Sequence, residues 1–251
     1  MSGSQAWIGT CGWNYGHWRE RFYPKDLRKA DWLSHYANQF STVEINNTFY
    51  RIPKAGQGAD WAKQTPGRFR FAVKMWRGVS HFKKLKDCRE HLQKFFDPVS
   101  SLESKHRGPI LVQLPPNQGK DLAKLDAFLA ELKEVTHPAR WKIAVEFRNR
   151  EWLCPKTYNL LNRRRAAICL HDMPPADVSE PNDASFVYLR RHGPTGNYQD
   201  SYSEQDIRED ARHIRRWLEE NRMVFIYYNN DAEAHAVRDA GLLQCTLEGA
   251  S

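Results

Sequence analysis

The chain has 251 residues, of which 41% are hydrophobic, and a formal net charge of +8. This length and apolar content suit one folded globular domain and exclude a disordered chain. No stretch approaches the roughly 20 apolar residues that span a bilayer, and the first six residues lack the pattern of a secretory signal, so we expect a soluble, cytoplasmic protein with no membrane partner. The positive charge favours anionic partners, but a basic surface that only keeps the protein soluble explains it equally well.

The five cysteines are widely spaced and form no C-x-x-C pair; they are Cys11, Cys88, Cys154, Cys169 and Cys245. An odd number of scattered cysteines indicates neither a disulfide framework nor a structural zinc site. We therefore expect reduced thiols, no bound metal and no cofactor.

Apolar runs of strand length recur along the chain, and amphipathic segments with helical periodicity separate them. The predicted strands are Trp7–Thr10, Thr42–Asn46, Phe69–Lys74, Ile110–Leu114, Lys142–Phe147, Ala167–Asp172, Phe186–Arg190 and Met223–Tyr228. Clear helical stripes cover residues 33–40, 92–99, 122–132 and 207–218, whereas the signals at 60–63 and 155–162 are weaker. Eight strand-helix units without a linker predict a single α/β domain over residues 1–251, a (β/α)8 TIM barrel with some irregular or shortened helices.

Alternation along each predicted strand decides which side chains face the barrel interior. In the second strand Val43 and Ile45 suit the helix-facing side, which turns Glu44 inward. The same pattern in the fifth strand turns Glu146 inward. Applied to all strands, the counting places these polar residues inside: Thr42, Glu44, Asn46, Lys74, Gln113, Glu146, Arg148, Asp172, Arg190, His192 and Asn229.

These inward polar residues come late in their strands, and (β/α)8 barrels carry their active sites at the carboxyl ends of the strands. We therefore predict one shared site there. Its catalytic candidates are Glu44, Lys74, Glu146, Arg148 and Asp172. Its predicted ligand contacts are Trp13, Tyr15, Asn46, Tyr50, Gln113, Trp152, Arg190, His192, Asn229 and Asn230. The structural alternative is an internal ion-pair network that only fills the barrel.

The residue types in each group of candidates suit a particular chemical role. A partly desolvated glutamate can act as a general acid or base, and an arginine fork can hold an anion. The loops after the seventh and eighth strands often bind phosphate in this fold, and they contain Arg190 and Asn229. Aromatic rings near the strand ends can stack on bases or sugars, although packing at the barrel rim explains them equally well. No H-x-H or H-E-x-x-H spacing supports a metal site.

Several short motifs follow one another along the chain: Gly9-Thr10-Cys11-Gly12-Trp13, Thr42-Val43-Glu44-Ile45-Asn46-Asn47-Thr48-Phe49-Tyr50-Arg51, Gln113-Leu114-Pro115-Pro116, Ala144-Val145-Glu146-Phe147-Arg148, Arg190-Arg191-His192-Gly193 and Tyr228-Asn229-Asn230. This series resembles the YecE-like family, a family of TIM-barrel domains of unknown function, over essentially the whole chain. Cys11 and Asn47 stand where the family often has serine, so neither is a nucleophile candidate. The resemblance implies the barrel fold and brings no settled reaction with it.

Three functions remain open from the sequence. The preferred interpretation is a phosphate-bearing ligand, either nucleic acid or a nucleotide, with hydrolysis of a phosphoester as a possible reaction. The second is a sugar-active enzyme that uses Glu44 and Glu146 as its carboxylate pair. The third is a non-catalytic binding protein whose charged interior is structural.

Overall fold

Eight parallel strands form one sheet that curls into a barrel. The structure, a computed structural model, describes residues 5–139 and 141–249, so the two ends of the predicted 1–251 domain lie outside the described residues. The strands are β1 (Ala6–Thr10), β2 (Thr42–Ile45), β3 (Arg70–Lys74), β4 (Arg107–Gln113), β5 (Ile143–Glu146), β6 (Ala167–His171), β7 (Phe186–Arg191) and β8 (Met223–Tyr228). They pair in chain order from β2 to β8, and β8 pairs with β1. The predicted barrel is confirmed.

The helices are distributed unevenly between the strands. They are α1 (Trp32–Gln39), α2 (Asn47–Tyr50), α3 (Gln57–Lys63), α4 (Arg89–Val99), α5 (Leu122–Val135), α6 (Pro155–Arg164), α7 (Glu204–Glu219) and α8 (His235–Glu248). Residues 172–185, between β6 and β7, are described throughout and contain no helix. Pro174, Pro175 and Pro181 lie in this connection, and proline removes a backbone donor that a helix needs. Among the helices that the structure describes, none is long and apolar enough to cross a membrane.

The strands pack apolar side chains on both of their faces. On the outer face, residues such as Val43, Ile45 and Val73 belong to the core beneath the helices. The interior of the barrel has its own apolar cluster, formed by Trp7, Cys11, Ala72, Leu111, Ala144, Ala167, Cys169, Ala184, Phe186, Tyr188, Phe225 and Tyr227. Small alanines from β3, β5 and β6 leave room for the large rings of β1, β7 and β8. The interior is therefore filled, and polar groups follow only near the carboxyl ends.

The barrel closes at the junction of β1 and β2. One bridge joins Cys11, just after β1, to Glu44 in β2. Beneath it, the Tyr36 hydroxyl of α1 donates to the Thr42 carbonyl at 3.1 Å and accepts from the Thr10 amide at 2.8 Å. A Cβ atom at Gly9 would lie 2.1 Å from the Thr42 carbonyl oxygen. Only glycine allows this close approach.

We expect Gly9→Ala to weaken this junction, because the added methyl group collides with backbone and not with a movable side chain. Overpacking of this kind should lower the free energy of unfolding by about 3 kcal/mol. Chemical denaturation measures the loss. Gly67→Ala is the control, since its Cβ would meet nothing within 4 Å, and its effect should stay within about 0.5 kcal/mol. Equal stabilities of the two variants would contradict the proposed role of Gly9.

Candidate functional site

Arg190, near the end of β7, lies at the centre of a buried ion-pair network. Its Nε and Nη2 atoms donate to the two carboxylate oxygens of Glu44 on β2, at 3.1 and 3.0 Å. Its Nη1 atom donates to Glu146 on β5 at 2.8 Å. The arginine is 1% exposed, and both glutamates are fully buried. One guanidinium thus joins three strands across the interior of the barrel.

Four further side chains extend the network. Arg148 pairs through Nε with the second oxygen of Glu146, and its Nη2 atom lies 3.0 Å from Nε2 of His192. Arg190 Nη1 lies 3.0 Å from the same nitrogen. Because guanidinium groups only donate, Nε2 of His192 accepts both bonds, and its Nδ1 carries the proton toward Asp172 at 3.2 Å. The Tyr188 hydroxyl donates to Glu44 at 2.6 Å.

The environment fixes the protonation of two of these groups. Burial raises the pKa of Glu146, but the charges of Arg148 and Arg190 outweigh it and hold that pKa well below its usual value. Burial and the charge of Arg190 lower the pKa of His192 to about 3, although its hydrogen bond to Asp172 opposes the change. At neutral pH Glu146 is therefore ionised and His192 is neutral.

Other polar groups at the barrel mouth are not bonded to the network. Lys74 ends β3, is partly exposed and forms no ion pair with a described residue; its ammonium lies 4.5 Å from the ring centroid of Phe49. Asn46 follows β2, opposite Lys74 in the continued register of β2 and β3. Its Nδ2 atom donates to the Cys11 carbonyl at 3.4 Å, whereas its Oδ1 atom is buried without a hydrogen-bond partner. The side chains of Gln113 and Asn229 form no hydrogen bond with the described part of the chain. We call Asn46, Lys74, Gln113 and Asn229 the unbonded sector.

Lys74 has an unusual environment for a lysine. Burial of the side chain and the charge of Arg190 lower its pKa to about 8, against the partial opposition of Glu146 and Glu44. Its ammonium is therefore the one cation of the described network and unbonded sector that readily loses a proton near neutral pH.

Asp172 does not lie on the inner face as predicted. Ala167 and Cys169 belong to the interior cluster, so alternation turns His171 inward and Asp172, just past the end of β6, away from it. Asp172 accepts instead from the His192 amide at 2.9 Å and from the Tyr202 hydroxyl. The prediction slipped by one residue because β6 is buried on both faces and its sequence therefore lacks a polar side.

The predicted aromatic contacts divide into core and rim residues. Trp152 is 1% exposed, stacks on Phe147 at 4.9 Å and donates to the Gln118 carbonyl, so its position does not fit a ligand platform. Tyr15 is partly buried, and its hydroxyl donates to the carbonyl of Cys11. Trp13, also partly buried, meets Trp61 edge to face. Tyr50 is 65% exposed at the rim.

Two residues that were predicted to contact a ligand use their side-chain donors in hydrogen bonds within the protein. All five N–H donors of the Arg190 guanidinium are bonded, to Glu44, Glu146, His192 and Cys11, so no donor remains for a ligand. Asn230 donates from Nδ2 to the Asp200 carbonyl and to Asp239 of α8, both at 2.7 Å. Arg190 therefore positions Glu44 and Glu146, and Asn230 links the segment that contains Asp200 to α8.

Sequence reasoning missed Tyr188 and Cys11, which also contact the network. Cys11 Sγ lies 3.5 Å from Arg190 Nη2. Tyr188 precedes Arg190 by two residues and therefore shares its face, so alternation could have identified it. Cys11 follows β1 and alternates with Trp7 and Gly9, but nothing in the pattern distinguishes it from a small core residue.

A cavity also lies outside the barrel. It has a volume of about 260 Å³ and lies between β6, β7 and α7, beside the connection that lacks a helix. Its lining is largely apolar, and its main charged groups, Asp172 and Arg191, already pair with protein side chains. Within residues 5–139 and 141–249, no three His, Cys, Asp or Glu side chains are grouped as metal ligands.

Fold and site together define a (β/α)8-barrel protein with a charged interior at the carboxyl ends of its strands. The chain belongs to the family described as "Protein of unknown function DUF72", whose profile matches residues 7–251. The resemblance to the YecE-like family is thereby confirmed, since both names denote one family.

Known relatives agree with this assignment. The UPF0759 protein YunF of Bacillus subtilis (strain 168) is 24% identical over 92% of this chain and 90% of its own length. A DUF72 family protein from Thermotoga maritima MSB8 superposes with a TM-score of 0.82 at 24% identity, covering 97% of this chain and 99% of that one. Another, from Enterococcus faecalis V583, has a TM-score of 0.82 at 19% identity, covering 97% and 96%. These structures share the fold.

We expect Arg190→Met to destabilise the protein by about 3–5 kcal/mol, because it leaves two buried carboxylates without their common partner. Chemical denaturation at neutral pH measures this loss. The control is Arg208→Met, which removes an exposed pair with Glu204 on α7 and should change stability by less than about 1 kcal/mol. A similarly small effect of both substitutions would show that the network does not support the fold.

Proposed function

We propose that this protein binds a ligand with a phosphate or comparable anionic group at the carboxyl ends of its strands. The observation that carries the proposal is the unpaired ammonium of Lys74 beside an otherwise balanced set of charges. The two carboxylates of Glu44 and Glu146 are matched by the guanidinium groups of Arg190 and Arg148. Protonated Lys74 adds one positive charge, and an anionic ligand would neutralise it.

Other groups at the mouth can orient such a ligand. Arg148 uses Nε and Nη2 within the network, and its Nη1 atom forms no hydrogen bond with the described residues. Because the network fixes its guanidinium plane, this donor is oriented in advance. The amides of Gln113 and Asn229 add neutral donors and acceptors. Lys74 and Arg148 would hold the anion, and the unbonded amides would select its shape.

The geometry supports binding better than hydrolysis. Every carboxylate oxygen of Glu44 and Glu146 accepts from Arg190, Arg148 or Tyr188, so neither glutamate is free to accept a proton from water. The guanidinium of Arg190 also fills the space between them, where a glycosidase needs a sugar ring or water. His192 accepts two bonds at Nε2 and lacks a free basic nitrogen. Phosphoester or glycoside hydrolysis therefore gains no support from this arrangement.

We expect Lys74→Met to weaken binding of inorganic phosphate, pyrophosphate or a nucleoside monophosphate by about 10-fold or more, the usual effect of losing a charged hydrogen bond. Calorimetric titration at low ionic strength measures the affinity. Lys94→Met, an exposed substitution on α4, is the control and should leave the affinity unchanged. Absence of binding to all three compounds by the unmodified protein would contradict the proposal, as would equal losses in both variants.

A surface at the rim favours single-stranded nucleic acid as a second candidate ligand. Tyr50 and Phe82 are 65% and 69% exposed, and the guanidinium of Arg77 lies between them, 5.5 and 5.3 Å from their ring centroids. A cavity of about 470 Å³ beside Tyr50 is lined partly by Arg51 and Lys54. Six cations within residues 51–86 that form no ion pair with the described residues add to this surface; they are Arg51, Lys54, Arg77, Lys83, Lys84 and Lys86. Exposed rings and unpaired cations are what stacked bases and phosphates require.

We expect single-stranded oligonucleotides to bind this rim with an affinity that falls steeply with salt. Tyr50→Ala should weaken binding by about 1–3 kcal/mol through lost stacking, and Arg77→Met should also lower the salt dependence. Fluorescence anisotropy with labelled oligonucleotides measures both effects. Lys94→Met serves again as the control. If Lys94→Met lowered affinity as much as Arg77→Met did, the contact would be a diffuse attraction to basic surface.

A further inference from the structure

We infer that Lys74 is a carbonyl-reactive amine that forms an imine with an aldehyde or ketone carried by the anionic ligand of the barrel mouth. The inference rests on the proposed function for the location of the ligand and goes beyond it by naming the reactive group. It assigns the mouth a covalent step that needs neither of the bonded glutamates.

The position of Lys74 is the first argument. In β3, Phe71 and Val73 lie in the core beneath the helices and Ala72 lies in the interior cluster, so Lys74 points into the mouth at the carboxyl end of its strand. Side chains at this end of a barrel strand are those that meet ligands.

The bonding of Lys74 is the second argument. A lysine held in a salt bridge keeps its proton, and its nitrogen lone pair is then unavailable for attack on a carbonyl. Lys74 pairs with no described carboxylate. Its ammonium lies 4.5 Å from the ring centroid of Phe49, and this cation–π contact favours the charged form much less than a salt bridge would. The network holds Glu44 and Glu146 on Arg190 and so keeps them from pairing with this ammonium.

Burial lowers the pKa of Lys74 most, and charges of both signs surround its ammonium. Arg190 from β7 opposes its protonation, whereas Glu146 and Glu44 favour it. The buried Cys11 thiol, whose pKa is raised, and His81, after β3, also lie within electrostatic range. Together these effects lower the pKa of Lys74 to about 8. At pH 7 the fraction of neutral amine is then roughly two hundred times that of an ordinary exposed lysine.

The chemistry balances without an oxidant or reductant. The Nζ lone pair forms a bond to the carbonyl carbon as the π electrons move to oxygen, and a proton passes from nitrogen to oxygen. The resulting carbinolamine loses water to give the imine. Asn46, opposite Lys74 in register, offers its unpartnered Oδ1 atom to the N–H of the carbinolamine, and Arg148 Nη1 can hold the anionic group of the ligand.

The experiment is reductive trapping followed by mapping of the modified lysine. The protein is treated with substoichiometric pyridoxal 5′-phosphate, which carries both an aldehyde and a phosphate, or with butyraldehyde, which carries no phosphate. Sodium borohydride then reduces any imine, and peptide mass spectrometry locates it. We expect Lys74 to be the main site, with a rate that is half-maximal near pH 8. Lys74→Arg should remove this adduct, whereas Lys94→Arg should not.

The outcomes separate this inference from the function on which it rests. Selective labelling of Lys74 by butyraldehyde supports the reactive amine even if inorganic phosphate does not bind. Binding of phosphate without preferential labelling of Lys74 over Lys94 overturns the reactive amine and leaves the anion site intact. The inference is also overturned if the labelling rate of Lys74 in the unmodified protein still rises between pH 9 and 10. This readout does not depend on the folding of a variant.

Discussion

The arrangement of the barrel mouth depends on a single guanidinium placed between two buried carboxylates. Glu44 and Glu146 come from strands on different sides of the barrel, and an unpaired charge at either position would be costly. Arg190 satisfies both, and the same contacts fix Arg148 and the tautomer of His192. Side chains of the protein thus balance the charge of the interior, and the same contacts link the strands that carry it.

This constraint divides the mouth into two functional parts. The bonded part is rigid and balanced, so its residues position others and are not free to react. In the unbonded sector, Lys74 forms no ion pair with the described residues, because Arg190 already occupies the two nearby glutamates, and Oδ1 of Asn46 has no hydrogen-bond partner. A fully bonded interior would favour a structural role alone; these free atoms are what support a binding function.

Much of this arrangement could be predicted from the sequence where a strand has one polar and one apolar face. Glu44 and Glu146 were located in this way, since their neighbours are clearly apolar. The pattern failed for Asp172 because β6 is buried on both faces. It also could not show that Arg190 is fully bonded or that Arg77 contacts Tyr50, because those contacts join residues that are distant in the chain. The sequence also could not show that the ring of Trp152 is buried, because a tryptophan packed in the core and one exposed for stacking on a ligand look alike in sequence.

The most direct measurement is a crystal structure of the protein grown at neutral pH with inorganic phosphate. The account predicts an anion bound between Lys74 and Arg148, with the bonds from Arg190 to Glu44 and Glu146 intact. It would be contradicted by a structure in which the ammonium of Lys74 forms an ion pair with Glu44 or Glu146 and the mouth holds no anion.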